Sequence, residues 1–207
     1  AASTRNRTRS GRRPSGETCV FPTAMNHHEA RILAWSVTPA PIEPRIAARA
    51  EEIARGIADA IAIEGLLAIE LFVTKDGEVL VNELAPRPHN SFHATERACA
   101  TSQFEQLVRA VCDLPLGSAE LLRPAAIVNL LGDAWMGPRP PDFAAALAVP
   151  GVRLHLYGKG TARPGRKMGH MSAIGGTVEE ALARVQRAEE LLAGTPGPGP
   201  SVPTSAA

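Results

Sequence analysis

Residues 66–87 read LLAIELFVTKDGEVLVNELAPR, and this stretch decides the fold class. Two runs rich in β-branched and apolar residues, Leu67–Thr74 and Glu78–Leu84, flank the dipeptide Asp76-Gly77. That dipeptide favours a two-residue type I′ turn between antiparallel strands. The stretch therefore predicts a β-hairpin.

The predicted hairpin register brings two carboxylates together. If Lys75 pairs with Glu78, counting outward pairs Glu70 with Glu83 on one face, with Cβ atoms about 5 Å apart. Facing like charges are destabilising, and Mg²⁺, or Mn²⁺ in its place, offsets the repulsion because it prefers oxygen ligands. Asn82 adds an amide oxygen only if the backbone twists locally, since its pleat position is the opposite face. The alternative is a hydrated face without a metal.

A polar loop follows the second strand. The segment Pro86-Arg87-Pro88-His89-Asn90-Ser91 contains two prolines, whose fixed φ lowers the entropy of holding the side chains between them in place. The planar donors of arginine suit carboxylate, bicarbonate or phosphate. The loop predicts an anion-binding segment, with an ion pair between Arg87 and one of the glutamates as the alternative.

A second basic segment lies far along the chain, at residues 157–170, which read YGKGTARPGRKMGH. Four cations in a loop rich in glycine and proline suit an anionic ligand such as a phosphate ester. They are Lys159, Arg163, Arg166 and Lys167. A solvated basic loop is the alternative.

The remaining pattern predicts an α+β fold in two parts, because strands and helices mix without regular βαβ alternation. Helices are predicted after Pro44, at Thr101–Cys112, at Asp142–Ala148 and from Thr177 to Gly194; strands are predicted at Thr18–Pro22, Ile32–Val37, Ala125–Leu131, Val152–Tyr157 and Lys167–Ile174. The second helix is expected to turn its apolar residues inward, namely Phe104, Leu107, Val108 and Val111. Thr177 with Glu180 forms a capping-box pattern, and Gly194 is a stop signal.

The two ends of the chain differ from the middle in composition. Residues 1–16 contain five arginines, no acid and almost no large apolar side chain, which predicts a disordered basic leader. A nucleic-acid-binding arm is the alternative, but the chain has no aromatic interleaving or nucleic-acid fold motif to support it. Residues 195–207 are rich in proline, glycine and serine and predict a flexible tail.

Composition excludes several classes of protein. No run of about 18 apolar residues occurs and no signal peptide is recognisable, so we expect neither a membrane span nor membrane binding, and a cytoplasmic location. The three cysteines contain no CxxC pair, which argues against a disulfide framework and a zinc site.

Three long motifs occur in order: NELAPRPHNS at 82–91, TSQFEQLVRAVCDLPLG at 101–117, and HLYGK with RPGRKMGH between 155 and 170. Together they resemble the 5-(carboxyamino)imidazole ribonucleotide synthases, ATP-grasp ligases of purine biosynthesis. The resemblance implies ATP-dependent carboxylation of 5-aminoimidazole ribonucleotide with bicarbonate, magnesium as cofactor and a homodimer. It implies a partial ATP-grasp domain with an antiparallel sheet at 17–118, and a small α/β barrel-sandwich-like domain at 119–194.

The resemblance also implies roles for individual residues, and those of the glutamate pair and of the basic loop agree with the chemistry argued above. The implied magnesium ligands are Glu70 and Glu83, the nucleotide-binding residues His28, Asn82 and Glu83, the residues of the bicarbonate and substrate region Arg87, His89 and Asn90, and the phosphate-binding residues Lys159 and Arg166.

The sequence departs from the family pattern in ways that affect activity. Nothing in it corresponds to the family's amino-terminal domain or to the glycine-rich phosphate loop and ATP-binding lysines, so we expect little ATP turnover from this chain alone. Phe92 stands where the family motif has glycine, and a bulky side chain there is expected to block the site or displace the loop. The alternatives are another ATP-grasp carboxylase or ligase, and a non-catalytic module that retains a dimer surface.

Overall fold

The computed structural model describes residues 4–29 and 32–194. Within these ranges, eight strands form one sheet in the order β5-β4-β1-β2-β3-β6-β8-β7, and every neighbouring pair is antiparallel. The strands are β1 (Thr4–Arg12), β2 (Thr18–Glu29), β3 (Ile32–Thr38), β4 (Gly65–Val73), β5 (Val79–Ala85), β6 (Ala125–Leu131), β7 (Val152–Leu156) and β8 (Lys167–Ile174). The helices are α1 (Pro44–Ala60), α2 (Thr95–Ala98), α3 (Gln103–Val111), α4 (Phe143–Leu147) and α5 (Val178–Ala193), with short 3₁₀ turns at Asn90–Phe92 and Gly132–Trp135.

The two long helices cover the sheet through small or branched side chains. A row of buried alanines on α1 packs against Leu67, Ile69 and Leu71 of β4. Because side chains alternate along a strand, Glu70 points to the face of β4 opposite α1. Leu182 and Val185 of α5 pack in the core formed by β3, β6 and β8. The predicted mixed α+β class with an antiparallel sheet is confirmed.

Short sequence patterns predicted both ends of the last helix correctly. The Thr177 hydroxyl accepts a hydrogen bond from the Glu180 backbone N–H at 3.2 Å, and Gly194 ends the helix with φ of 68°. This is the N-terminal cap and the left-handed C-terminal residue that the sequence predicts. None of the helices in the described ranges is both long and apolar enough to cross a membrane.

The predicted disordered leader is wrong for residues 4–12. They form β1, which lies between β4 and β2 and pairs with both strands along its length. Thr8, Ser10 and Gly11 are buried, so small residues supply the inner positions that large apolar residues supply elsewhere. The composition argument failed because a strand with neighbours on both sides is stabilised by two ladders of backbone hydrogen bonds as well as by its own side chains.

The predicted inward face of α3 is also wrong. Phe104, Val108 and Val111 are exposed, whereas Gln103 and Gln106 are fully buried. The amide of Gln106 bonds the backbone N–H and carbonyl of Gly117, so a polar side chain occupies the inner face because it satisfies backbone groups there.

The carboxy-terminal strands do not form a separate layer. Strand β6 pairs with β3, so strands from both predicted parts belong to one sheet. The barrel-sandwich form predicted for 119–194 is therefore not confirmed, and the predicted boundary between 118 and 119 stays a prediction. The predicted tail at 195–207 lies outside the described residues.

Candidate functional site

The hairpin turn has three residues instead of the predicted two. The Thr74 backbone N–H donates to the Glu78 carbonyl at 2.9 Å, and its hydroxyl accepts from the Glu78 N–H at 3.0 Å. Gly77 takes the left-handed conformation, with φ of 78°, whereas Asp76 does not. A type I′ turn needs positive φ at both central residues, so the longer loop replaces it.

A β-bulge restores the predicted pairing of the two glutamates. The three-residue turn pairs Leu71 with Val81, but one extra residue on β5 then pairs Glu70 with Glu83. The extra residue is Asn82, and its side-chain amide donates to Glu70 Oε2 at 3.4 Å. The bulge is the local twist that lets Asn82 join the acidic pair, since a bulged residue leaves the regular alternation of faces. Glu70 is 9% exposed, and Glu83 is exposed.

The acidic pair offers hard oxygen donors of the kind Mg²⁺ accepts. Two carboxylates with room for water and phosphate oxygens suffice for this ion, because it seldom uses a complete protein cage. No group of three or more His, Cys, Asp or Glu side chains in the described part of the chain forms a metal cluster. The donor set therefore fits Mg²⁺ shared with a ligand better than a closed structural site.

His28 lies at a distance from the acidic pair. Arg7 of β1 pairs with Glu70 on one side and with Ala24 on the other. His28 is four residues further along β2, opposite Leu33, beside a second bulge. At about 3.3 Å per residue, this places His28 about 13 Å along the strand from the level of the acidic pair. The two groups lie apart on the sheet, so only an elongated ligand reaches both.

The predicted anion-binding loop is held by a buried glutamine that the sequence analysis did not select. Gln103 Oε1 accepts from the His89 N–H at 3.0 Å, and its Nε2 donates to the His89 carbonyl at 3.1 Å. His89 itself is 8% exposed, and its Nδ1 accepts from the Ser91 N–H at 3.3 Å. The proton of a neutral His89 ring is therefore on Nε2. Arg87 is exposed at the start of the loop, and its guanidinium donates to the Pro88 carbonyl.

Phe92, which was expected to block the site or displace the loop, does not project from the loop. The Phe92 side chain is fully buried and packs against Phe21 of β2, with ring centroids 6.4 Å apart. Its φ is not positive, so the position does not need glycine's conformational freedom. The side chain belongs to the core beneath the loop, which contradicts the expected blocking of the site, whereas displacement of the loop stays a prediction.

The predicted phosphate loop connects β7 to β8. Glycines with positive φ stand at both ends, Gly158 at 64° and Gly165 at 69°. Lys159 Nζ donates to the Lys167 carbonyl at 2.7 Å, and the Arg166 guanidinium donates to the Thr161 carbonyl at 3.0 Å. The Lys159 and Arg166 side chains thus both bind backbone carbonyls of this segment, so the two cations lie close to the same short stretch of backbone.

Asn90 connects the predicted anion-binding loop to the predicted phosphate loop. Its Nδ2 donates to the Tyr157 hydroxyl at 3.3 Å, and its Oδ1 accepts from Lys167 Nζ at 3.4 Å. The Tyr157 hydroxyl also lies 2.9 Å from His170 Nδ1. Because Lys159 Nζ lies 5.5 Å from the Tyr157 ring centroid, Tyr157 brings Asn90 and Lys159 into one neighbourhood.

Three histidine rings form a cluster next to this contact, with His155 stacked on His170 and His93 tilted against it. His170 lies between His155 and His93, with ring centroids 4.6 and 4.7 Å away. Burial lowers the pKa of His170 to about 3, with smaller contributions from His93 and His155, so its ring is neutral at physiological pH. On the outer side, His155 Nε2 lies 3.1 Å from a Glu96 carboxylate oxygen.

Two family models match consecutive parts of the chain. An ATP-grasp domain model covers residues 10–104, and a phosphoribosylaminoimidazole carboxylase C-terminal domain model covers residues 125–184. The first begins inside the segment that composition assigned to a leader. An N5-carboxyaminoimidazole ribonucleotide synthase of Bacillus subtilis is 48% identical over 159 residues, which are 76% of this chain and 40% of that protein. The chain belongs to the N5-carboxyaminoimidazole ribonucleotide synthase family. The family consists of ATP-dependent ligases of the ATP-grasp superfamily.

Solved structures of the synthase family share this fold. The N5-carboxyaminoimidazole ribonucleotide synthetase of Thermotoga maritima is 42% identical with a TM-score of 0.81, covering 91% of this chain and 51% of that one. The Aspergillus clavatus synthase, in complex with ADP and 5-aminoimidazole ribonucleotide, is 32% identical with a TM-score of 0.80, again covering 91% and 51%. The chain thus spans about half the length of the synthases it matches.

The sequence analysis did not identify the residues whose hydrogen bonds and packing hold the synthase motifs in place. Gln103, Tyr157 and His170 all lie inside the quoted motifs, but their types alone do not distinguish a ligand contact from a supporting contact. The spacing of Gln103 and Gln106 was the available signal, because residues three apart share a helix face.

Proposed function

We propose that this chain provides the metal-binding and substrate-phosphate parts of a synthase that carboxylates 5-aminoimidazole ribonucleotide at the expense of ATP, with bicarbonate as the carboxyl source. The Aspergillus clavatus relative carries ADP and this ribonucleotide in its structure, which supports both ligands here. The homodimer stays a prediction of the resemblance, and the cytoplasmic location stays a prediction of the composition.

The nucleotide half of the proposal concerns β4 and β5. Glu70 and Glu83 would hold Mg²⁺, with Asn82 beside them, and a bound magnesium ion would neutralise charge on the nucleotide phosphates. Glu70 presents its carboxylate from a mostly buried position, which limits its motion, whereas exposed Glu83 can adjust to the ligand. Asn82, by donating to Glu70, reduces the repulsion between the two carboxylates. The pairing of Glu70 with Glu83 is the observation that carries the proposal.

The substrate half concerns the two loops joined by Asn90. Lys159 and Arg166 would bind the ribonucleotide phosphate, because both cations belong to one short loop with glycines at its ends. Arg87 and Asn90 would orient bicarbonate or the reacting amine, while His89 keeps the loop in shape through its bond to Ser91. Their contribution to the rate would come from holding the reactants close together.

Metal binding is tested first with the purified 207-residue chain. Mn²⁺, added with ADP, is followed by its paramagnetic broadening of side-chain and backbone NMR resonances. Glu83→Gln and Glu70→Gln each remove a charged ligand, and we expect about 10–100-fold weaker binding, from a loss of about 1.5–3 kcal/mol. Glu78→Gln changes a glutamate of the same hairpin next to the turn and is the matched control. Equal affinity in all three variants would exclude the site.

Substrate binding is tested by calorimetry. We expect 5-aminoimidazole ribonucleotide to bind at least about tenfold more tightly than the same nucleoside without phosphate, and Arg166→Ala to remove most of that difference. Arg139→Ala removes an exposed arginine outside the loop and serves as control. Indistinguishable affinities for nucleotide and nucleoside would refute the phosphate assignment.

A further inference from the structure

Lys167 fixes the direction of the hydrogen bonds made by Asn90 between the two loops. Lys167 Nζ only donates, so the Asn90 atom 3.4 Å from it is the amide oxygen. The Asn90 NH₂ group then faces the Tyr157 hydroxyl at 3.3 Å and donates to it. The orientation of the Asn90 amide therefore depends on two partners, a lysine on one side and a phenol on the other.

The Tyr157 hydroxyl connects Asn90 to His170. A phenol that accepts from Asn90 directs its own proton to a second acceptor, and His170 Nδ1 lies 2.9 Å away. This requires a neutral His170 ring with its proton on Nε2. Besides Tyr157, the titratable side chains against that ring include His155, which stacks on it, and His93, which is tilted against it, and both histidines disfavour its protonation.

The Tyr157 ring makes a separate contact with the basic loop. Lys159 Nζ lies 5.5 Å from the ring centroid, within the range of a cation–π interaction. The same ammonium donates to the Lys167 carbonyl. One side chain thus contacts Asn90 through its hydroxyl and Lys159 through its ring face.

We propose that Tyr157 is a positioning residue that couples the two substrate-binding loops, holding the Asn90 amide with its hydroxyl and the Lys159 ammonium with its ring. The inference rests on the proposed function, because that function places Asn90 and Lys159 at the substrate. The two contacts use different parts of the side chain, so substitutions can separate them.

The hydroxyl contact is tested without substrate. Tyr157 is the single tyrosine of the chain, so an ultraviolet titration of tyrosinate absorbance reports this residue alone. Burial raises the pKa of the Tyr157 hydroxyl, and the hydrogen bond from Asn90 lowers it. Asn90→Ala is expected to move the pKa of Tyr157 further upward, and Asn82→Ala, which changes a distant asparagine, is expected to leave it in place. An unchanged pKa of Tyr157 in Asn90→Ala would overturn the hydroxyl contact.

The ring contact is tested with ribose 5-phosphate as the probe, by calorimetry on the full chain. Tyr157→Phe removes the hydroxyl but keeps the ring, so it is expected to weaken binding of the probe less than a substitution that removes the ring. Tyr157→Leu removes the ring and is expected to bind about 2–5-fold more weakly, the range of an exposed cation–π contact. Equal weakening in both variants, or in neither, would overturn the ring contact.

The two measurements keep this inference separate from the proposed function. If the parent chain does not bind ribose 5-phosphate, the phosphate assignment of Lys159 and Arg166 fails, and so does the coupling of substrate loops. The tyrosinate titration would still report whether the Asn90 contact exists. Binding by the parent chain with no shift in the pKa of Tyr157 would leave the proposed function standing and overturn the coupling of the two loops through Tyr157.

Discussion

Replacing Gln103 with leucine tests whether the loop at Pro86–Ser91 is held from beneath. The Gln103 side chain is fully buried and bonds three groups: the His89 N–H, the His89 carbonyl and His93 Nδ1, the last at 2.8 Å. Leucine has similar volume but leaves these groups without their amide partner. Each buried polar group deprived of its partner costs about 1–3 kcal/mol, so the lower end of the sum is about 3 kcal/mol. For a chain of this length, that corresponds to a fall in Tm of about 6–12 °C.

The matched control is Gln186→Leu in α5. Gln186 is also buried, at 7% exposure, but its Nε2 has no hydrogen-bond partner among the described residues. Leucine there removes a buried donor that is already unsatisfied, so we expect no loss of stability. Differential scanning calorimetry of both variants gives the comparison. A Tm of Gln103→Leu no lower than that of Gln186→Leu would refute the role assigned to the Gln103 amide.

Three further outcomes follow from the described contacts. Burial lowers the pKa of His170 from 6.5 to about 3, so as pH falls below about 6.5 this ring takes up a proton in the unfolded chain but not in the folded chain. The free energy of unfolding should therefore fall by about 2 kcal/mol between pH 7 and pH 5. Urea titrations should show a smaller fall in His170→Phe. Gly132→Ala places a Cβ 2.2 Å from a carbonyl oxygen of the basic loop and should weaken ribose 5-phosphate binding, whereas Gly160→Ala, with open space around it, should leave the loop backbone in place and binding unchanged. Val108→Ala on the exposed face of α3 should change the free energy of unfolding by less than about 0.5 kcal/mol, whereas Leu182→Ala in the core should cost about 2–5 kcal/mol, both measured by urea denaturation.

Elements whose signal is local were predictable from the sequence. The cap at Thr177, the stop at Gly194 and the strands at 125–131 and 167–174 are where the sequence places them. Each depends on residues within one turn or one strand, so no knowledge of distant neighbours is needed.

Features that depend on distant partners were not predictable in this way. Strand β1 is ordered by β2 and β4, and the inner face of α3 is chosen by the backbone of His89 and Gly117. In both cases local polarity suggested exposure, whereas the fold supplies hydrogen-bond partners that make polar burial favourable. A sequence without an alignment gives no sign of those partners.

The acidic hairpin shows how a correct contact can be reached through an incorrect intermediate. Counting from a two-residue turn pairs Glu70 with Glu83, but the real turn has three residues and by itself would place Asn82 opposite Glu70. The bulge at Asn82 adds the compensating residue, and with it the amide that contacts Glu70. A regular ladder places only one residue opposite Glu70. That residue would be either Glu83, without Asn82 beside it, or Asn82, without Glu83. The irregularity in β5 is therefore what gathers two carboxylates and one amide at the same place, and deletion of Asn82 should keep Glu70 opposite Glu83 while removing the amide, so Mn²⁺ binding should weaken rather than disappear.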